Sequence, residues 1–381
     1  MALPLFEFIR RGRRAPLSLI VSLDGSRAGA ALLDRTGKKP VLRFSSDIEL
    51  AAAETPSAEA LLSALLAKLK IALAAAKDQG LKAGTDGDAP AAVTEAIAFV
   101  GAPWCDSAIK RLCVAKETPM TLGQRALDKI LSRNEFALKL GNALDEKVVA
   151  RASANGYAVD NPVGLRARAF ELTLFLAAVE PAAKDGIRAA VGEAFPGIKI
   201  SFAAQSRALF DLARGMYPHE GQTLVLDVGG ELIEATRLDG DDLAATASAP
   251  VGVLSAVRGI AKQCGLEPAA AAAALRAHAE SGSTDCAAGV AKAVADAAKS
   301  WRDAVRRGVV SAAGDETPGR VIISADPSMI GAAGSVVLSM LPGVEIIPLS
   351  ARQLESAITA DHSVHPTTLA CALALHSRTR R

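Results

Sequence analysis

The chain has 381 residues, which is too long for one ordinary domain and sufficient for two or more. Half of the residues are hydrophobic, so the chain can bury large cores, and only 4% are aromatic. The 43 Lys and Arg residues nearly balance the 41 Asp and Glu residues, and no basic stripe is interleaved with aromatic residues, which argues against a nucleic-acid partner.

The start of the chain and its cysteines bear on localisation. MALPLFEFIRRGRR places its apolar residues before its basic ones, the reverse of a secretory signal. We interpret residues 1–16 as an apolar-basic leader, which either touches a membrane surface or a partner or is a solvated tail. The five cysteines are widely spread without a Cys-x-x-Cys pair, so neither a zinc site nor a disulfide framework is indicated, and a reducing compartment fits best.

The first hundred residues have the pattern of an α/β lobe. Two apolar runs around the sequence DGSRAG predict a β-hairpin. Thr55-Pro56 predicts the start of a helix whose leucines share one face. The predicted strands lie at 18–23, 30–34, 41–46 and 96–101.

Residues 105–179 have a different sequence pattern, which predicts a small inserted α+β subdomain. A helix is expected at 121–134 and strands at 147–158 and 168–178, separated by turns at Asn155-Gly156 and Asp160-Asn161-Pro162.

The remainder predicts a return to the first lobe and then a second lobe. A second hairpin is expected in TLVLDVGGELIEATRL, at 223–238, and an Ala-rich helical stretch at 251–308. The other predicted elements are helices at 181–194, 204–215, 327–341, 351–360 and 366–376 and strands at 198–203, 319–326 and 344–349.

The turns of the two predicted hairpins are the candidate chemical site. They are Asp24-Gly25-Ser26 and Asp227-Val228-Gly229-Gly230. Glycine lets backbone N–H groups approach phosphate closely, and hydrated Mg²⁺ is often held by one or two carboxylates. Asp24 and Asp227 could hold such an ion across a cleft, with the Ser26 hydroxyl donating to phosphate. Either motif alone is usually only a hairpin turn, whereas the pair favours a phosphate site.

The chain resembles the actin-like ATPase superfamily, within it the branch of the cell-division protein FtsA and the type IV pilus protein PilM. The resemblance covers most of the chain and is carried by SLDGSRAGAALL, LVLDVGGELIEATRL, NGYAVDNPVGLRARAFEL and SAPVGVLSAVRGIAKQCGL. It implies an actin-like (ribonuclease H-like), duplicated two-lobed α/β fold with an inserted small α+β subdomain. The implied divisions are a leader 1–16, first lobe 17–104, insertion 105–179, return 180–220, second lobe 221–262, helix-rich insertion 263–318 and second lobe completed 319–381.

The resemblance also implies a function. A PilM-like protein would be a cytoplasmic scaffold of type IV pilus assembly, peripheral at the inner membrane. It would bind ATP with Mg²⁺ between the lobes and the cytoplasmic tail of a PilN-like membrane protein on its insertion. The alternatives are an FtsA-like cell-division protein that self-associates, a degenerate scaffold without nucleotide, and a small-molecule kinase, for which no catalytic carboxylate is evident.

Three positions depart from the family pattern. Ala325-Asp326-Pro327 stands where the family has two glycines near adenosine, and Glu231 follows the second turn, where it faces either phosphate or solvent. Gln205 is a weak candidate for orienting a water molecule. Whether the chain is a weak ATPase or only a nucleotide-responsive scaffold is left open, with the scaffold favoured. His365 is expected at the surface.

Overall fold

A computed structural model of the chain describes residues 16–50, 57–80, 92–133, 138, 144–217, 221–240, 242–281, 288–314, 317–325, 327–360 and 364–378. Its strands are β1 Pro16–Leu23, β2 Arg27–Asp34, β3 Val41–Glu49, β4 Ala92–Val100, β5 Cys105–Thr121, β6 Glu146–Ala154, β7 Tyr157–Val159, β8 Arg166–Val179, β9 Ile200–Ala204, β10 Gln222–Val228, β11 Ile233–Asp239, β12 Asp242–Ala249, β13 Arg320–Ala325 and β14 Glu345–Pro348. Its α-helices are α1 Ala58–Ala75, α2 Gln124–Arg133, α3 Pro181–Ala194, α4 Gln205–Met216, α5 Val253–Cys264, α6 Pro268–Ser281, α7 Ala288–Ala313, α8 Pro327–Met340, α9 Ala351–Leu354 and α10 Pro366–Arg378.

Two five-stranded sheets with the same topology form the two lobes. The strand orders are β3-β2-β1-β4-β9 and β12-β11-β10-β13-β14. In the first sheet β1 pairs antiparallel with β2 and parallel with β4. In the second sheet β10 pairs antiparallel with β11 and parallel with β13. The shared order from unlike sequences is the signature of a duplicated α/β unit.

The first lobe is built on a central strand that is buried along its length. β1 is buried from Leu17 to Leu23, which explains its nearly continuous apolar sequence. Helix α1 begins after Ser57, whose hydroxyl accepts a hydrogen bond of 3.1 Å from the N–H of Ala60. The predicted helix start at Thr55-Pro56 lies outside the described residues.

The inserted segment forms a four-stranded antiparallel sheet of order β5-β8-β6-β7, together with α2. Strand β8 alternates between two cores: Phe175 packs into the first-lobe core, whereas Leu174 and Leu176 pack into the core of the insertion. The 17-residue strand β5 was not predicted, because its distal half is charged and exposed. The domain boundaries themselves stay a prediction.

The second lobe carries its helices α5, α6 and α7 where the Ala-rich stretch predicted them. Strand β12 was not predicted, since DLAATASA lacks large β-formers, yet it pairs with β11 through a bulge. The helix expected at 351–360 is only the four-residue α9.

The last helix, α10, follows the second lobe but packs on the first. Its residues Leu369, Cys371 and Leu375 belong to the first-lobe core. At its start, the Thr368 hydroxyl donates 2.9 Å to Asp47 of β3. The helix Pro366–Arg378 therefore packs on the first lobe, although it follows the second lobe in sequence. Within the described residues, no helix has both the length and the apolar character needed to span a bilayer.

We expect Phe175→Ala to destabilise the protein strongly. The Phe175 side chain is 1% exposed, and losing a buried phenyl ring costs roughly 3–5 kcal/mol. Urea unfolding should therefore show a much lower midpoint. Tyr157→Ala is the control: this ring is 79% exposed, so its loss should change stability by about 0.5 kcal/mol or less. Equal midpoints for Phe175→Ala and wild type would contradict the assigned packing of β8.

Candidate functional site

A cavity of about 300 Å³ lies between the lobes and is the candidate site. Most of the residues predicted from the two hairpins line it, which places the two motifs on one cavity. The predicted residues that line it are Asp24, Ser26, Gln205, Asp227, Gly229, Gly230 and Ala325. Gly25 lies beside it, where an added Cβ would come within 3.1 Å of Glu231 and Pro103.

The first turn, Asp24–Ser26, is closed by its own aspartate. Asp24 Oδ1 accepts hydrogen bonds from the Ser26 N–H at 2.8 Å, the Ser26 hydroxyl at 3.0 Å and the Arg27 N–H at 2.9 Å. These donors are directed at the carboxylate of Asp24. A phosphate would have to displace that carboxylate before it could accept hydrogen bonds from them. The role of Ser26 as a phosphate donor stays a prediction.

The second turn, Gly229–Leu232, touches the first. A Cβ on Gly230 would lie 2.4 Å from the Cβ of Ser26, a distance that real side chains do not tolerate. Glycine is therefore required there by the close approach of the two turns.

Arg27 was missed by sequence analysis and is the main cation of the cavity. Its side chain is buried, and Nη2 donates 3.1 Å to Asp24 Oδ2, while Nε lies 4.0 Å from Asp47 Oδ1. Within the part of the chain that the structure describes, Nε and Nη1 have no hydrogen-bond partner. A buried guanidinium with unused N–H groups on a cavity is suited to an oxyanion. An arginine at the start of a strand gives no such signal in sequence.

Asp227 and Glu234 face each other across β10 and β11. Burial, and then the charge of Asp24, raise the pKa of Asp227 to about 6. Burial, and then the charge of Asp227, raise the pKa of Glu234 to about 8. Burial is thus the main reason that both carboxyl groups hold their protons more tightly than in water.

The donor set fits a hydrated divalent cation. Asp24 and Asp227 both line the cavity, and a Mg²⁺ ion needs only one or two carboxylates because it keeps several waters. Among the described residues, no three His, Cys, Asp or Glu side chains are grouped as metal ligands, so water would have to complete the shell. Asp227 is the freer of the two carboxylates, since Asp24 already serves the first turn and Arg27.

Of the departures from the family pattern, the charge of Glu231 is compensated by a neighbouring residue. Glu231 forms a two-point ion pair with Arg258 of α5, with one contact of 2.7 Å, so its charge is compensated inside the protein. Ala325 ends β13 and is 6% exposed on the cavity wall. Asp326 lies outside the described residues.

Gln205 and His365 also line the cavity. Gln205 starts α4, and its Nε2 donates 3.4 Å to Asp227 Oδ2, while its buried Oε1 has no hydrogen-bond partner in the described ranges. His365 was expected at the surface; it is half-buried on the cavity wall, where its Nδ1 accepts a hydrogen bond of 3.2 Å from the Thr367 N–H. Burial and the nearby charge of Arg27 lower the pKa of His365 to about 2, which keeps the ring neutral.

The opposite wall of the cavity is apolar. It is formed by α5, α6 and the segment around the start of α8, through Val257, Ala272, Leu275 and Met329, with Arg276 beside them. One cavity thus combines a charged half with an apolar half. That combination matches a nucleotide, which has phosphates at one end and a flat base at the other.

No protein-family model matches the chain, and no curated protein matches it by sequence. Among solved structures it is similar to the PilM-PilN type IV pilus biogenesis complex, with a TM-score of 0.64 and 17% identity over 97% of this chain and 99% of that chain. It also matches a Bacteroides thetaiotaomicron protein with an actin-like ATPase fold and unknown function, with a TM-score of 0.44 and 8% identity over 97% of this chain and 98% of that one. The first likeness and the duplicated sheets confirm the predicted actin-like, two-lobed α/β fold with an inserted α+β subdomain.

We expect stability to fall as pH rises towards 8 because of Glu234. Its pKa is about 8 when folded against an ordinary 4.5, so the folded state binds the extra proton between these values. Stability is therefore greatest below about 4.5 for this group and declines by a few kcal/mol as pH rises through the folded pKa.

Thermal unfolding of Glu234→Gln between pH 6 and 8 measures this effect. In this variant, most of the decline in stability between pH 6 and 8 should be absent, because glutamine keeps the shape of the side chain and has no titrating proton. Glu193→Gln, at an exposed position, is the control and should keep the wild-type slope. A wild-type slope in Glu234→Gln would contradict the assigned burial of this carboxyl group.

Proposed function

We propose that this protein is a PilM-like scaffold of type IV pilus assembly. The observation that carries the proposal is the likeness to the PilM-PilN complex across nearly the whole of both chains, including the inserted subdomain. Its partner would be a PilN-like membrane protein whose cytoplasmic tail binds the insertion. The scaffold would then lie in the cytoplasm, peripheral to the inner membrane.

The insertion is suited to binding a tail because it ends in an edge strand. Strand β5 lies at one edge of the four-stranded sheet, and its residues Arg111, Cys113 and Lys116 are exposed. Edge strands are ready to pair with an extended segment of another chain. β5 also contacts β12 of the second lobe, and Arg151 of β6 forms an ion pair with Asp242 of β12. A tail on the insertion would therefore sense the arrangement of the lobes.

The cleft would bind a nucleotide that sets this arrangement. Arg27 would hold a phosphate oxygen with its unused N–H groups, Asp227 would hold hydrated Mg²⁺, and the wall formed by Val257 and Leu275 would contact the base. A bound Mg²⁺ ion would supply positive charge to phosphate and carboxylates alike. Because both lobes contact such a ligand, its binding can shift the population of lobe arrangements and thereby partner affinity.

A second candidate is a scaffold without nucleotide. It is favoured by the first turn, whose donors are occupied by Asp24, and by the direct contact of Ser26 with Gly230. The measurement of nucleotide binding separates the two candidates.

We expect Mg·ATP to bind the wild-type chain with micromolar affinity, about −8 kcal/mol. Asp227→Ala should weaken it at least about tenfold, because the cation loses its carboxylate. Isothermal titration calorimetry measures both. Asp160→Ala, at an exposed turn of the insertion, is the matched control and should bind like wild type. Absence of heat with every variant would exclude the nucleotide switch and leave the nucleotide-free scaffold.

We expect the cytoplasmic tail of a PilN-like protein from the same source to bind the insertion. The charge reversals Arg111→Glu and Lys116→Glu together should weaken binding at least about tenfold, since two exposed cations beside the edge strand become anions. Fluorescence anisotropy of the labelled synthetic tail measures the affinity. Lys262→Glu on α5 is the control at an exposed position of the second lobe. Equal loss in both variants, or none in either, would place the tail elsewhere.

A further inference from the structure

A second cavity, of about 770 Å³, lies in the second lobe between α6, α7 and α8. It is lined by Leu275, His278 and Ala279 of α6, by Ala295, Ala298, Lys299, Trp301, Arg302, Asp303 and Arg306 of α7, and by Met329, Ala332, Ser335, Val336 and Ser339 of α8. Its volume is in the range of sites for small organic ligands. It shares Leu275 and Met329 with the interlobe cavity, and its other lining residues are its own.

Trp301 lines this cavity and has an unused hydrogen-bond donor. Its side chain is 2% exposed, and the buried indole Nε1 has no hydrogen-bond partner among the described residues. Buried indole N–H groups normally find an acceptor, because leaving a donor unsatisfied is costly. Trp104 follows that rule: its Nε1 donates 3.1 Å to the carbonyl oxygen of Asp24. A ligand that offers an acceptor would satisfy Trp301.

Three cations line the same cavity as Trp301. Lys299, Arg302 and Arg306 line the cavity at positions i, i+3 and i+7 of α7, so they share one helix face. None of the three makes an ion pair with another described residue. Asp303 is the one carboxylate among the described lining residues, so the four charges sum to +2, from three cations less one anion. The charge of this wall therefore favours an anion.

Most of the remaining wall is apolar, and its two serine hydroxyls are hydrogen-bonded within their own helix. Leu275, Ala298, Met329 and Val336 present aliphatic and thioether groups. Ser335 and Ser339 donate to carbonyl oxygens of their own helix, at 2.9 and 2.7 Å. Recognition is thus divided between an apolar body and one charged end.

We propose that this cavity binds a small amphiphilic anion, with its apolar body between α6 and α8 and its carboxylate, sulfonate or phosphate group at Trp301 and the cations of α7. The proposal does not depend on the function of the interlobe cleft. It assigns the chemical class of the ligand, an organic acid with an aliphatic or aromatic body.

Octanoate is the probe, with octanol and octylamine as controls that carry the same chain on a neutral or cationic head. Titration calorimetry of the full chain should show saturable octanoate binding at one site, and the controls should bind at least about tenfold more weakly, because only the anion meets the cations and the indole N–H. The double variant Arg302→Gln, Arg306→Gln should lower octanoate affinity at least about tenfold.

Arg307→Gln is the matched control: it lies on the same helix, is exposed, and is absent from the cavity wall, so it should leave octanoate affinity unchanged. Trp301→Phe keeps the ring packing but removes the N–H, and should weaken octanoate severalfold while leaving octanol binding unaltered. Unchanged thermal midpoints establish that the surface variants are folded. Equal affinity for octanoate and octanol, full affinity in the double variant, or no saturable octanoate binding would each overturn the proposal.

Discussion

The buried guanidinium of Arg27 is the charge on which the interlobe region depends. It donates to Asp24 and lies close to Asp47, and its charge offsets part of the rise that burial and Asp24 cause in the pKa of Asp227. Removing one member of such a buried group leaves the other charges uncompensated, which is far more costly than losing a surface pair. Burial, and then the charge of Arg27, lower the pKa of His365 and keep its ring neutral beside the start of α10. The first turn, the cleft and the attachment of the last helix are therefore parts of one electrostatic arrangement.

The duplicated sheet explains why the two aspartate turns meet. In each lobe the turn follows the central strand, β1 or β10, and that strand runs parallel to the next one across the sheet. When two such sheets face each other, their equivalent edges oppose, and the first turns come together. The contact between Ser26 and Gly230 is the consequence, and only a glycine permits it at this distance. Asp24 and Asp227 are thus brought together by topology, although 203 positions separate them in the chain.

The sequence predicted the elements that their own residues determine, and it missed the features that depend on contacts between residues far apart in the chain. Strands β1 and β10 could be predicted because they are buried apolar runs followed by glycine-containing turns. Strands β5 and β12 could not, since their stability comes from pairing with β8 and β11 and their own residues are charged or small. Arg27 and Glu234 escaped notice for a related reason: an ionisable residue in a strand is ordinarily solvated, and their neighbours Asp47 and Asp227 meet them only through sheet pairing and lobe packing. The candidate cavity was predictable from its two turns, whereas its electrostatics required the fold.

The interlobe cavity and the cavity of the second lobe share part of a wall, and this has a thermodynamic consequence. Leu275 on α6 and Met329 on α8 contribute to both. A ligand that moves either side chain on one side changes the shape of the other cavity, because close-packed interiors transmit displacement. Any coupling must then be reciprocal: if an anion in the α7 cavity alters affinity in the interlobe cleft, a ligand in the cleft alters anion affinity by the same factor. The Ala-rich helices of the second lobe, with short side chains between them, leave few other groups to absorb such a displacement, so α6 and α8 are the elements through which it would pass.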